Sequence, residues 1–159
     1  MNITYEPIGV VRSPFTDLVS MPIQPVSDAS SPGTIEIYAP FVGGLKGLDG
    51  FSNLILLYHL HEVRDKSLTV TPFLDSIPRG IFAARAPARP NPIGLSVVKL
   101  VRIEGPILHV EDLDVLNETP LINLKPYVPE FDHRPDARIG WLERVKGNTK
   151  AKVSDERFQ

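Results

Sequence analysis

The stretch Gly94-Leu95-Ser96-Val97-Val98-Lys99-Leu100-Val101-Arg102-Ile103, then Glu104-Gly105-Pro106, then Ile107-Leu108-His109-Val110-Glu111-Asp112-Leu113-Asp114-Val115 reads as two strands joined by a tight turn. Val and Ile fill the flanking runs, and Gly-Pro is the punctuation a hairpin needs. Upstream, residues 51–61 read as a central strand. Its Leu54-Ile55-Leu56-Leu57 is apolar on successive positions, which suits a strand buried on both faces, as between a barrel wall and a partner surface. Shorter β-rich runs at residues 8–12, 34–38, 67–71 and 80–85 bring the count to seven strands, at 94–103 and 107–115 for the last two.

Helix has little room between them. The chain of 159 residues holds 16 prolines, each of which removes a backbone donor and breaks a helix interior. The longest proline-free stretch begins Gly43-Gly44-Leu45-Lys46-Gly47-Leu48-Asp49-Gly50, too glycine-rich for more than a helical turn. Short strands, proline-rich joints and no amphipathic helix point to an antiparallel all-β barrel or sandwich. Length fits one domain, expected over residues 1–145, with a polar C-terminal tail at 146–159.

Composition removes several chemistries. With no cysteine there is no disulfide, thiolate metal site or cysteine nucleophile. No apolar run approaches the roughly 18–20 residues of a membrane span, and residues 1–13 lack a basic region followed by an apolar stretch, so a cytoplasmic protein without a membrane partner is expected. A net charge of −2 argues against indiscriminate polyanion binding. Charge is instead arranged locally. Arg79, Arg85, Arg89, Lys99 and Arg102 occur without an acid, whereas Glu104, Glu111, Asp112, Asp114 and Glu118 follow without Lys or Arg. Cross-strand ion pairs and a pocket with walls of opposite sign both account for this pattern. A second basic stretch runs from residue 134 to 157.

Three constellations carry candidate chemistry. In Arg85-Ala86-Pro87-Ala88-Arg89-Pro90-Asn91-Pro92-Ile93-Gly94, three prolines stiffen a loop that presents Arg85, Arg89 and Asn91 with little ordering entropy left to lose on binding. Arginine forks suit carboxylate or phosphate. In a strand, Asp112 and Asp114 share a face and repel unless a cation or proton lies between them; shaping the turn ahead of Pro120 is the alternative role for Asp114 and Asn117. In His59-Leu60-His61, spacing by two puts both imidazoles on one strand face, and His109 and Glu111 are further metal-ligand candidates in a cupin-like reading. G-x-G-x-x-G, Walker, G-x-S-x-G and H-E-x-x-H motifs are absent.

The run Gly80-Ile81-Phe82-Ala83-Ala84-Arg85 leading into Arg89-Pro90-Asn91-Pro92-Ile93-Gly94-Leu95-Ser96 resembles the TrmO-like tRNA methyltransferases, also described as the TsaA/YaeB-like β-barrel domain. The resemblance extends to Ile8-Gly9-Val10-Val11-Arg12-Ser13-Pro14-Phe15, Pro22 with Gln24-Pro25, Gly50-Phe51-Ser52, Asp112-Leu113-Asp114, Thr119-Pro120 and Lys125-Pro126-Tyr127. It implies a small antiparallel barrel of about seven strands with little helix. It also implies S-adenosyl-L-methionine as cofactor, tRNA as partner, a homodimer, and methylation of the exocyclic amine of N6-threonylcarbamoyladenosine beside the anticodon. By position in the family pattern, the cofactor pocket would draw on Pro14, Phe15, Thr16, Leu60, His61, Arg85, Leu95, Glu111, Asp112, Leu113 and Asp114. Asp114 is the first candidate to orient the amine, and Arg89, Asn91 and Lys125 would contact tRNA. No metal is implied.

The chain departs from the pattern where the family usually reads D-G-T-P and D-I-K-P-Y. Here Asn117-Glu118-Thr119-Pro120 and Asn123-Leu124-Lys125-Pro126-Tyr127 replace two carboxylates by amides and a glycine by Glu118. Two further readings stay open at this level: a relative that binds S-adenosylmethionine or RNA without turnover, and a cupin-like metal enzyme using His59 and His61.

Overall fold

The computed structural model describes residues 1–17 and 30–145. Pro22, Gln24, Pro25 and the tail at 146–159 lie outside these residues. Six strands close into an antiparallel barrel: β1 (Gly9–Arg12), β2 (Gly33–Ile37), β3 (Asn53–His59), β6 (Ile93–Glu104), β7 (Ile107–Glu111) and β8 (Thr119–Pro126), in the spatial order β1-β2-β7-β6-β3-β8. Closure comes from β1, which pairs with β2 on one side and β8 on the other. β4 (Thr69–Val70) and β5 (Arg79–Gly80) form a separate two-stranded ribbon. Among the described residues, helix is confined to short 3-10 turns and the four residues of α1 (Pro129–Asp132).

The all-β barrel expectation holds, with two corrections to the strands. Residues 80–85 do not form a strand: only Arg79–Gly80 pairs, and Ile81–Ala83 turns as a 3-10 helix that buries Ile81. β8 is the strand that the prolines concealed. Pro120 falls where pairing to β3 has already ended at Tyr58–Leu121, although it lies opposite Val10 in the β1 ladder, and Pro126 is the last residue of β8, so neither missing donor interrupts the β3–β8 ladder centrally.

Alternation builds the core. Val11, Ile35, Leu54, Leu56, Val98, Leu108, Val110 and Leu121 fill the barrel, and Leu113 and Val115 close one end. On β3 the pattern is strict: Leu54, Leu56 and Tyr58 are buried, while Ile55 and Leu57 on the outer face are only half-buried. Two-sided burial is therefore incomplete within one chain. The β6–β7 hairpin turns at Gly105-Pro106 as expected, with Gly105 at φ 58°, the position where a II′ turn takes glycine.

Strand direction decides where the chemistry lies. The ends of β1, β3 and β7 and the beginnings of β2, β6 and β8 share one rim of the barrel. The segments that leave or enter this rim contain residues 13–17, 60–92 and 112–118.

Candidate functional site

Nearly all the cofactor residues expected from sequence belong to this rim. Pro14, Phe15 and Thr16 follow β1, Leu60 and His61 follow β3, Arg85 precedes β6, Leu95 lies near the start of β6, and Glu111 to Asp114 end β7. Lys125 is placed apart, opposite Ile55 toward the far end of β8.

The chain leaves β7 sharply. Asp112 adopts φ 65°, in the left-handed region, so Asp112 and Asp114 do not share a strand face as the sequence reading expected. Asp114 instead meets a polar group inside the barrel wall. Ser96 Oγ donates to Asp114 Oδ1, and Tyr58 Oη lies 2.9 Å from Ser96 Oγ. Ser96 is 1% exposed. Burial pushes the Asp114 carboxyl up to about 6, opposed by the hydrogen bond from Ser96, its own backbone N–H and the Arg85 charge. Burial, together with the nearby Asp114 charge, also pushes the Tyr58 phenol up. Tyr58 and Ser96 are the members that sequence reasoning missed. Ser96 stood within the motif but read as an ordinary strand residue, and Tyr58 lay hidden in an apolar run.

Arg85 sits beside this group and donates from Nη2 to the Leu95 carbonyl at 3.2 Å, joining two expected site residues. Arg89, expected as a substrate contact, is engaged within its own loop. Its Nη1 reaches the carbonyls of Ala84 at 2.8 Å and of Ile81 and Ala86 at 3.3 Å, tying down the loop that carries Arg85. Asn91 is exposed.

A hollow of about 460 Å³ opens on the rim, lined by Thr16, Asp17, His61, Glu62, Leu116, Asn117 and Glu118. Its wall is knitted by the segment after β1. Asn117 N–H donates to the Phe15 carbonyl at 2.7 Å, Asn117 Oδ1 accepts from Ser13 N–H at 3.1 Å, and Ser13 Oγ donates to the Val115 carbonyl at 2.5 Å. An acceptor is all this geometry asks of residue 117, so an amide serves where the family pattern has a carboxylate. Asn123 accepts from the adjacent Leu124 N–H at 2.8 Å. Glu118 does take φ 65°, and its carboxylate pairs with Arg12.

The cross-strand ion-pair reading of the charge pattern is realised. Lys99 pairs with Glu111 across β6 and β7 at 2.9 Å, and Arg102 and His109 both bind Glu104, at 3.0 and 2.8 Å. Arg85 lies near enough to Asp114 for its charge to favour the ionised carboxyl, and neither residue lines the hollow. The histidines scatter. β3 ends at His59, which is exposed, whereas His61 makes a long 3.4 Å contact to Thr119. Among the described residues no three His, Asp or Glu side chains are grouped to hold a metal ion, and no helix is long and apolar enough to cross a membrane.

The sequence model of the tRNA-methyltransferase O N-terminal domain matches residues 10–133. A probable S-adenosyl-L-methionine-binding protein of Pyrococcus abyssi is 47% identical over 99% of this chain and 86% of its own length. The tRNA (adenine(37)-N6)-methyltransferase of Escherichia coli is 34% identical over 87% of this chain and 63% of its own. A crystal structure of TrmO from Pseudomonas aeruginosa superposes with a TM-score of 0.75 at 39% identity, over 88% of this chain and 62% of that one. The chain thus spans less than two thirds of the E. coli and P. aeruginosa proteins. With the barrel, the rim loops and the R-P-N-P-I-G run all inside the matched region, the chain belongs to the tRNA-methyltransferase O family.

Proposed function

We propose that this chain is an S-adenosyl-L-methionine-dependent tRNA methyltransferase that acts on the exocyclic amine of N6-threonylcarbamoyladenosine beside the anticodon. The observation that carries the proposal is the Asp114 carboxyl at the barrel rim, fixed by Ser96 and facing the Arg85 charge. The side chains present fit the cofactor. The acids Asp17 and Glu62 around the hollow match its ammonium and sulfonium charges and Leu116 provides apolar surface there, while Arg85, Phe15 and Leu95, on the same rim outside the hollow's lining, supply a charge for its carboxylate and further apolar surface. When bound, S-adenosylmethionine supplies a methyl group on a positively charged sulfur.

The protein's own part is alignment and proton handling. Above pH about 6, ionised Asp114 accepts a hydrogen bond from the substrate N–H. This turns the nitrogen lone pair toward the reacting carbon and gives the departing proton a place to go. A group that ionises just below neutral pH suits this task better than an ordinary surface carboxylate.

For tRNA we assign Asn91, Lys125 and the described arginines of the C-terminal stretch, Arg134, Arg138 and Arg144, leaving Arg89 to its loop. Binding that weakens steeply with salt is expected of phosphate contacts. A homodimer would cover the apolar residues that face outward on β3 and β6, among them Ile55, Leu57 and Ile93. Residues 1–145 constitute the catalytic domain in this reading. The test is to incubate the protein with S-adenosylmethionine and tRNA carrying the threonylcarbamoyl group, then weigh the released nucleosides. A single added methyl supports the proposal, and none, beside a working family member, overturns it.

A further inference from the structure

We infer that Tyr58 and Ser96 are positioning residues for Asp114, a hydroxyl relay set in neighbouring strands that fixes which way the carboxylate presents its free lone pairs. The inference rests on the proposed role of Asp114 and deepens it.

The relay is built by register. Tyr58 on β3 is the Cα partner of Gly94 on β6, and a Cβ on Gly94 would run into the Tyr58 ring. The ring lies across the bare glycine and delivers its hydroxyl to Ser96, two residues along β6 on the same face. Ser96 then reaches Asp114, beyond the end of β7. Three elements are thereby joined through three side chains.

Proton accounting gives the relay a direction. An ionised carboxylate only accepts, so Ser96 donates to Asp114 and its own oxygen must accept from Tyr58. One Asp114 oxygen is thus held by Ser96. When Asp114 is protonated, its O–H can donate to Ser96 and the other two hydroxyls are free to reverse. The groups facing Asp114 are Tyr58 from β3, Ser96 from β6 and Arg85 from the loop before β6; on its own side lie Asp112 and Glu111, the latter paired with Lys99. Packing alone does not account for these hydroxyls. Replacing both partners of a buried hydrogen bond by apolar groups of the same shape is often nearly neutral, so Phe and Ala would serve the barrel.

The test uses two readouts. In the ligand-free protein with ¹³C-labelled aspartate, the Asp114 carboxyl is titrated by NMR. The wild-type midpoint is expected near 6. S96A should move it upward by about one pH unit, since a hydrogen bond to the charged form is lost, and Y58F should move it the same way by less. In methyl transfer, the acid limb of the pH–rate profile should rise with the same order, kcat falling while KM for tRNA is kept and S96T recovers part of the rate. A folded S96A protein with an unmoved midpoint overturns the relay. If S96A does not fold, the near-isosteric Y58F decides by the same criterion. Absence of methyl transfer by the wild type overturns the proposed function alone, because the titration still judges the relay.

Discussion

The indole N–H of Trp141 donates to the carbonyl of Ala83 at 2.7 Å, across 58 positions of sequence. The Arg79 guanidinium lies 5.6 Å from the centre of the same indole and also grips Asp75 through Nε and Nη2, at 2.9 and 2.7 Å. The arginine's hydrogen bonds hold the Asp75 carboxyl below its ordinary range. A residue after the barrel thereby braces the turn that leads to Arg85. W141A should lower stability by about 1–2 kcal/mol. It should also speed amide exchange at Ala84, whose N–H closes the Ile81 turn. Unchanged exchange there would show that the indole braces nothing.

Glu118 occupies a left-handed backbone position that glycine fills without strain. Its compensation is an exposed ion pair with Arg12, a type of contact worth about 0–1 kcal/mol. E118G is therefore predicted to stabilise the protein by about 0.5–1 kcal/mol in urea unfolding. A loss of stability would mean that the ion pair outweighs the strain.

Gly94 is needed because Tyr58 lies over it. G94A should cost about 1–3 kcal/mol, as overpacking does in a filled core. Y58F should give no relief, because the atoms in the way belong to the ring. Equilibrium denaturation of both single variants and the double variant checks this. A cost that vanished in the Y58F background would place the conflict at the hydroxyl instead.

Asp114 makes stability depend on pH. Folding raises its carboxyl from an ordinary 3.8 to about 6, so between those values the folded chain holds a proton that the unfolded chain has lost. The contribution is complete below the lower value and disappears as pH rises through the upper one. D114N, which carries no charge, should gain about 1–3 kcal/mol over wild type at pH 8 and little near pH 4, measured by denaturant unfolding. An equal difference at both pH values would contradict the assigned shift.

The barrel was legible because its signals are local: alternation in β2, the Gly105-Pro106 turn, and the β-branched run in β6. What escaped was tertiary. β8 was concealed by prolines that fall near its two ends, at or beyond the limits of its pairing with β3. Residues 80–85 read as a strand but, among the described residues, pair with β4 alone and no further than Gly80. The rim residues Arg85 and Asp114 came from the motif, yet the sequence held no sign that Asp112 would turn left-handed and separate the two aspartates. Nor did it show that Arg89 would be drawn into its own loop by three carbonyls. The meeting of Tyr58, Ser96 and Asp114 depends on strand register, which follows only once the barrel is assembled.

Asp114 handles the substrate amine in the proposed reaction. The most direct measurement compares wild type and D114N in single-turnover methylation of threonylcarbamoyl-modified tRNA at saturating S-adenosylmethionine and pH 7.5. Cofactor affinity is followed separately by calorimetry. A rate loss of about 10²–10⁴, larger than any loss of cofactor affinity, is expected. Methylation by D114N at the wild-type rate would contradict this role.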